Sequence, residues 1–114
     1  MSAITTHILD ISAGRPAVGV SVKLEHKSSA EGWRTVGDGV TDEDGRCRGI
    51  SSGFRLLADG HYRLTFETGA YFAGLGIETF YPDVTIVFTV RDAMQHYHVP
   101  LLLSPFGYST YRGT

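Results

Sequence analysis

Cysteine is nearly absent from this chain. Its 114 residues contain one, Cys47, which excludes an intramolecular disulfide and any cysteine-rich metal framework. Long apolar runs are missing as well. The longest, Val99-Pro100-Leu101-Leu102-Leu103, is far below the ~20 residues of a membrane helix, and the opening MSAITTHILD has neither the basic nor the apolar region of a leader. Nor is there an excess of one charge. Ten Lys and Arg against twelve Asp and Glu give a formal net charge of −2, and the cations are scattered, so the footprint of a nucleic-acid or membrane-surface binder is lacking. These absences predict a soluble, cytoplasmic protein whose partners are neither nucleic acid nor membrane. What remains is 42% apolar content in a chain of one-domain length, enough to bury roughly 65% of its extended-chain surface. Without a linker, repeat or composition break, residues 1–114 are expected to form a single domain.

The apolar residues alternate rather than run. Val18, Val20, Val22 and Leu24 interleave with Gly19, Ser21, Lys23 and Glu25; Tyr62, Leu64 and Phe66, then Val84, Ile86, Phe88 and Val90, repeat the pattern. A period of two is that of a strand with one buried face. Gly37-Asp38-Gly39, Glu43-Asp44-Gly45 and Asp59-Gly60 are residues that tolerate positive φ and are expected to close hairpins. The spacing predicts strands near 4–10, 18–26, 33–40, 52–56, 61–68, 84–92, 97–103 and 107–112. That is the pattern of an all-β sandwich. One short helix is expected within 68–80, where Tyr71, Leu75 and Thr79 share a side, with Pro82 as its stop.

Candidate chemistry gathers on histidine. His7 shares a strand face with Thr5 and Leu9, ordinarily the place of an unremarkable half-exposed side chain. In Gln95-His96-Tyr97-His98-Val99-Pro100, strand geometry sends both imidazoles to one side. With His7 they could form a three-histidine zinc site; alternatively one is a general base, since imidazole titrates near pH ~6.5. The residues alone leave both open. The Asp42–Gly49 stretch lacks the order of a calcium loop and reads as a hairpin turn. Arg46 leaves that turn either as a solvated cation or as a fork for a planar anion. The last fourteen residues are too apolar and aromatic for a free linker and are expected to pack.

Five stretches then occur in order: Ile4-Thr5-Thr6-His7-Ile8-Leu9-Asp10; Thr41 to Cys47 with Asp44-Gly45-Arg46-Cys47; Tyr81-Pro82; His96 to Pro105; and Tyr111-Arg112-Gly113-Thr114. Together they resemble the 5-hydroxyisourate hydrolases of the transthyretin-like family. The resemblance implies an all-β, two-sheet antiparallel Greek-key sandwich with one short helix, assembling as a homotetramer with its sites where two dimers meet. It implies hydrolysis of a small molecule, 5-hydroxyisourate, to 2-oxo-4-hydroxy-4-carboxy-5-ureidoimidazoline in urate degradation, with no metal and no organic cofactor. Its catalytic residues fall on His7, Arg46, His98 and Thr114, and its substrate-binding residues on His7, Arg46, Tyr111, Arg112, Gly113 and Thr114. Either histidine fits the role of base. The family's final tetrapeptide most often ends in serine; Thr114 keeps the hydroxyl and adds a methyl. The alternative is a transthyretin-like carrier of a hormone-type ligand, without catalysis; such carriers lack the strand-one histidine and this ending.

Overall fold

The computed structural model describes residues 4–28, 32–51 and 58–114. Among them the alternating segments form β1 (Ile4–Asp10), β2 (Arg15–Pro16), β3 (Ser21–Ser28), β4 (Gly32–Val40), β5 (Gly60–Phe66), β6 (Val84–Val90), β7 (Tyr97–Ser104) and β8 (Gly107–Thr110). The single helix among the described residues, α1 (Thr68–Gly74), lies between β5 and β6. Two four-stranded sheets result, ordered β2-β1-β7-β8 and β4-β3-β5-β6. Their facing sides supply one core: Ile4, Ile8, Leu101 and Leu103 from the first, Val22, Leu24, Tyr62, Leu64, Phe66 and Val84 from the second. No helix among the described residues is long and apolar enough to cross a membrane.

β1 states the logic of the sandwich most simply. Ile4, Thr6, Ile8 and Asp10 are buried, whereas Thr5, His7 and Leu9 between them are half-buried. The two polar residues turned inward are both satisfied, as burial demands. Thr6 Oγ1 donates to the Val99 carbonyl at 2.6 Å. Burial pushes the Asp10 carboxyl upward, yet hydrogen bonds from the Ser12 and Tyr71 hydroxyls and the Ala13 and Ser12 amides outweigh it and hold the group below its ordinary value. Tyr71 thereby ties α1 to β1 at 2.7 Å.

Several elements depart from the sequence reading. One ladder is parallel: β1 runs alongside β7 with Thr5 opposite His98 and His7 opposite Pro100. The strand expected from Val18 begins at Ser21, after Gly19 turns the chain with φ 80°. β2 was not expected at all; two residues are too few for a periodic signal. α1 ends at Gly74, where Gly76 takes φ 68° and the Ile77 amide returns to the Phe72 carbonyl. Tyr71, Leu75 and Thr79 therefore form no common helical stripe, and the stop is glycine rather than Pro82. Gly37-Asp38-Gly39 closes no hairpin but lies inside β4. A Cβ on Gly37 would collide with the Ile50 carbonyl, and one on Gly39 would come within 2.7 Å of Cys47 Sγ, so these glycines admit the 46–51 segment against the strand. The predicted strand at 52–56 falls outside the described residues.

Candidate active site

The turn after β4 joins the two sheets rather than two neighbouring strands. Asp42 organises it: its Oδ1 accepts from the amides of Asp44 and Arg46 at 2.9 and 3.1 Å, and Gly45 supplies the left-handed corner with φ 77°. The Ile8 amide donates to the Gly45 carbonyl at 2.8 Å, and Arg46 forms a β-bridge with His7. Arg46 is thus delivered to β1 of the opposite sheet. Its neighbour Arg48 is occupied, with Asp42 at 3.0 Å and Asp44 at 3.3 Å. Among the described residues no carboxylate pairs with Arg46. Of the two arginines, only Arg46 offers uncompensated positive charge to an anion.

The other wall follows from a missing hydrogen atom. β7 and β8 pair antiparallel from Ser104↔Gly107 to Leu101↔Thr110, and the same register reappears at the bridge His98↔Gly113. Between these lies Pro100, at a position where an antiparallel pair would exchange both bonds, and proline has no N–H to give. The ladder lapses there; Thr110 Oγ1 donates to the Pro100 carbonyl at 2.7 Å instead. It resumes when the Gly113 amide reaches the His98 carbonyl at 2.8 Å. This return carries Thr114 to the mouth of a cleft of about 380 Å³, which Thr5, Arg46, Cys47, Arg48, His96 and His98 also line. The volume falls within the ~300–1,000 Å³ usual for small-molecule sites. Gly113 lies flat on the histidine: a Cβ there would sit 2.6 Å from His98 Cδ2.

Within the cleft, Thr5 Oγ1 stands 2.8 Å from His98 Nδ1 and 3.0 Å from His96 Nε2. The parallel register that sets Thr5 opposite His98 is the cause. Burial holds the His98 imidazole below its ordinary pKa, and the positive charge of Arg46, with His7 and His96 adding to it, acts in the same direction. His98 is therefore neutral at neutral pH, a base in waiting. His7 is engaged differently. Its Nε2 lies 2.7 Å from the Asp44 carbonyl; since a carbonyl only accepts, that nitrogen carries the proton and donates. Cys47 is buried, and burial, with Asp38 and Asp42 adding to it, keeps its thiol protonated. No three His, Cys, Asp or Glu groups among the described residues gather as a metal cage.

The structure brings Arg46, His98, Gly113 and Thr114 together, while His7 is bridged to Arg46 but is not among the residues that line the cleft. Tyr111 and Arg112 turn elsewhere, lining a groove with Phe88, Tyr97 and Val99. The Arg112 guanidinium stacks 4.5 Å over the Tyr97 ring and donates to Gln95 Oε1 at 3.0 Å and to the His96 carbonyl at 3.4 Å. As a site residue Thr5 has no mark in the sequence, and His96 stands out only as one of three histidines that could bind zinc or supply a base. A threonine in a strand carries no signal; only its cross-strand partner gives it meaning.

Known proteins share both this frame and these segments. The HIUase/Transthyretin family model matches residues 4–113. A probable 5-hydroxyisourate hydrolase of Caenorhabditis elegans is 47% identical over 113 residues, covering 99% of this chain and 82% of its own. The structure of Klebsiella pneumoniae 5-hydroxyisourate hydrolase superposes with a TM-score of 0.84 at 42% identity, covering all of this chain and 94% of that one. Sea bream transthyretin in complex with thyroxine gives 0.90 at 33% identity, over 98% and 95% of the two chains. With the family model matched from the first described strand to the penultimate residue, the chain belongs to the HIUase/Transthyretin family.

Proposed function

We propose that this chain hydrolyses 5-hydroxyisourate to 2-oxo-4-hydroxy-4-carboxy-5-ureidoimidazoline, a step of urate degradation, acting as a single 1–114 domain within a cytoplasmic homotetramer. The observation that carries this reading is the pairing, in one cleft, of a neutral His98 with an uncompensated Arg46. Fold alone would not carry it, because the likeness to a thyroxine-bound transthyretin is as close as that to a hydrolase. A carrier has no use for a base beside a lone guanidinium.

The chemistry follows from the positions. Arg46 binds the anionic, urate-like ring through its forked donors. His98, whose Nδ1 is engaged by Thr5, takes a proton from water through Nε2 as the water oxygen adds to the ring-amide carbonyl carbon. The oxyanion that forms faces the Arg46 cation, which stabilises it more than the neutral carbonyl. The C–N bond then breaks, the ring nitrogen takes the proton from the His98 imidazolium, and the new carboxylic acid ionises. His7, donating to the Asp44 carbonyl and bridged to Arg46, holds the Arg46 turn in place for the anion. Thr114 closes the mouth with its hydroxyl, while Tyr111, Arg112 and Gly113 form the strap that brings it there. None of these steps calls on a metal or organic cofactor. The test is the disappearance of freshly generated 5-hydroxyisourate against its spontaneous decay: acceleration by the purified, chelator-treated protein is expected. Loss at the spontaneous rate, with tight binding of a hormone-type aromatic ligand, would establish the carrier instead.

A further inference from the structure

Thr5 has one hydroxyl proton and two imidazole neighbours. Its Oγ1 lies within hydrogen-bond distance of both His98 Nδ1 and His96 Nε2; its single proton can go to only one of them, so at least the other nitrogen must carry an N–H and donate. The two rings cannot choose their tautomers independently. If the hydroxyl donates to His96 Nε2, His98 must carry its proton on Nδ1, and its Nε2 is a bare lone pair. If the hydroxyl turns to His98, the lone pair is consumed and Nε2 bears a proton, which leaves the ring a donor and no base. A chain in which each bond feeds the next is also strengthened as a unit.

We propose that Thr5 is a positioning residue for the hydrolysis, accepting from His98 Nδ1–H and donating to His96 Nε2, so that His98 presents Nε2 to the attacking water. This rests on the hydrolase reading, because it is the demand for a base that selects the first arrangement over the second. The rest of the geometry conforms. Parallel pairing fixes Thr5 opposite His98, Gly113 presses on the far side of the ring, and Arg112 holds the His96 carbonyl from the strap. His96 and His98 are then linked through Thr5, and it is the His98 end of the link that performs the chemistry.

The decisive measurement is the nitrogen-15 NMR signature of the imidazoles in the wild-type protein near neutral pH. His98 is expected as the Nδ1–H tautomer and His96 likewise, each with a bare Nε2. Thr5→Val keeps the β-branched shape and removes the hydroxyl; it should mix the His98 tautomers and lower kcat about tenfold, with KM within about twofold. Thr5→Ser should restore both signature and rate. A His98 found as Nε2–H in the wild type overturns the proposal whether or not the variant folds. So does a Thr5→Val protein of unchanged kcat. Failure of the hydrolase reading would look different: the expected tautomers would be present, but the wild-type protein would not accelerate substrate loss, and Thr5 would then position His98 for some other task.

Discussion

A single imidazole carries most of the weight at the site. His98 is neutral because burial and the Arg46 charge oppose its protonation, and the same cause sets its response to acid. A depressed folded-state pKa means that the unfolded chain binds the extra proton first. The group thus costs the protein nothing above the unfolded value near ~6.5, and destabilises it as pH falls from there through the lower folded value. Thermal melts across this window should show the wild type losing stability relative to His98→Asn on acidification, and parallel curves would contradict the assignment. Turnover, which needs the neutral ring, should persist below pH ~6.5 before its acid limb falls. His98→Asn itself should keep the fold and lower kcat by roughly 10²–10⁴, the contribution of a positioned acid–base group. A correctly assembled variant with near-normal turnover would remove His98 from the chemistry.

At the scale of elements, the tail is an interrupted strand rather than an end. Because Pro100 breaks the ladder and the His98↔Gly113 bridge restores it, residues 111–114 attach to the site without contributing to the core. Deleting Tyr111–Thr114 should therefore abolish turnover while leaving the β-sheet signal and most of the thermal stability; an active truncation would sink this. Gly113→Ala is subtler. Its methyl would sit 2.6 Å from His98 Cδ2, so the ring must shift from Thr5, and kcat should fall by about tenfold or more with little change in melting temperature. The strands that build this arrangement were legible because a half-buried strand writes its period into the sequence: β1, β4, β5, β6 and β7 lie close to where alternation put them. Glycine misled twice, at Gly37-Asp38-Gly39 and in the overlong helix, because a glycine that admits a passing backbone looks the same as one that turns a chain. The histidines and Arg46 were legible by type and by motif. Thr5 was not, since its importance lies in a parallel register between residues 93 apart, which local pattern does not encode.

The whole molecule leaves apolar surface that one chain does not use. Phe106 sits 63% exposed in the β7–β8 turn and Phe80 is 70% exposed, while Tyr111, further along the tail, is 58% exposed. Phe80 packs edge-on to Tyr81, and Tyr81 to Tyr108, and the Phe80 amide reaches the Pro105 carbonyl, so these rings gather beside the β7–β8 turn. Covering such rings is worth about 1.5–3 kcal/mol per side chain, a strong reason for copies to associate through the end that carries the β7–β8 turn. The proposed homotetramer would use this surface, and its assembly would in turn be needed to complete the cleft beside Thr114, at the other end of the β7–β8 ladder. Sedimentation at micromolar concentration should then give the mass of four chains. Phe106→Ser should shift the distribution towards smaller species and lower the activity per chain, with partial recovery as concentration is raised, because mass action refills the assembly. A wild-type protein that sediments as a monomer at full activity would separate catalysis from assembly, and would require the single-chain cleft to bind the substrate unaided.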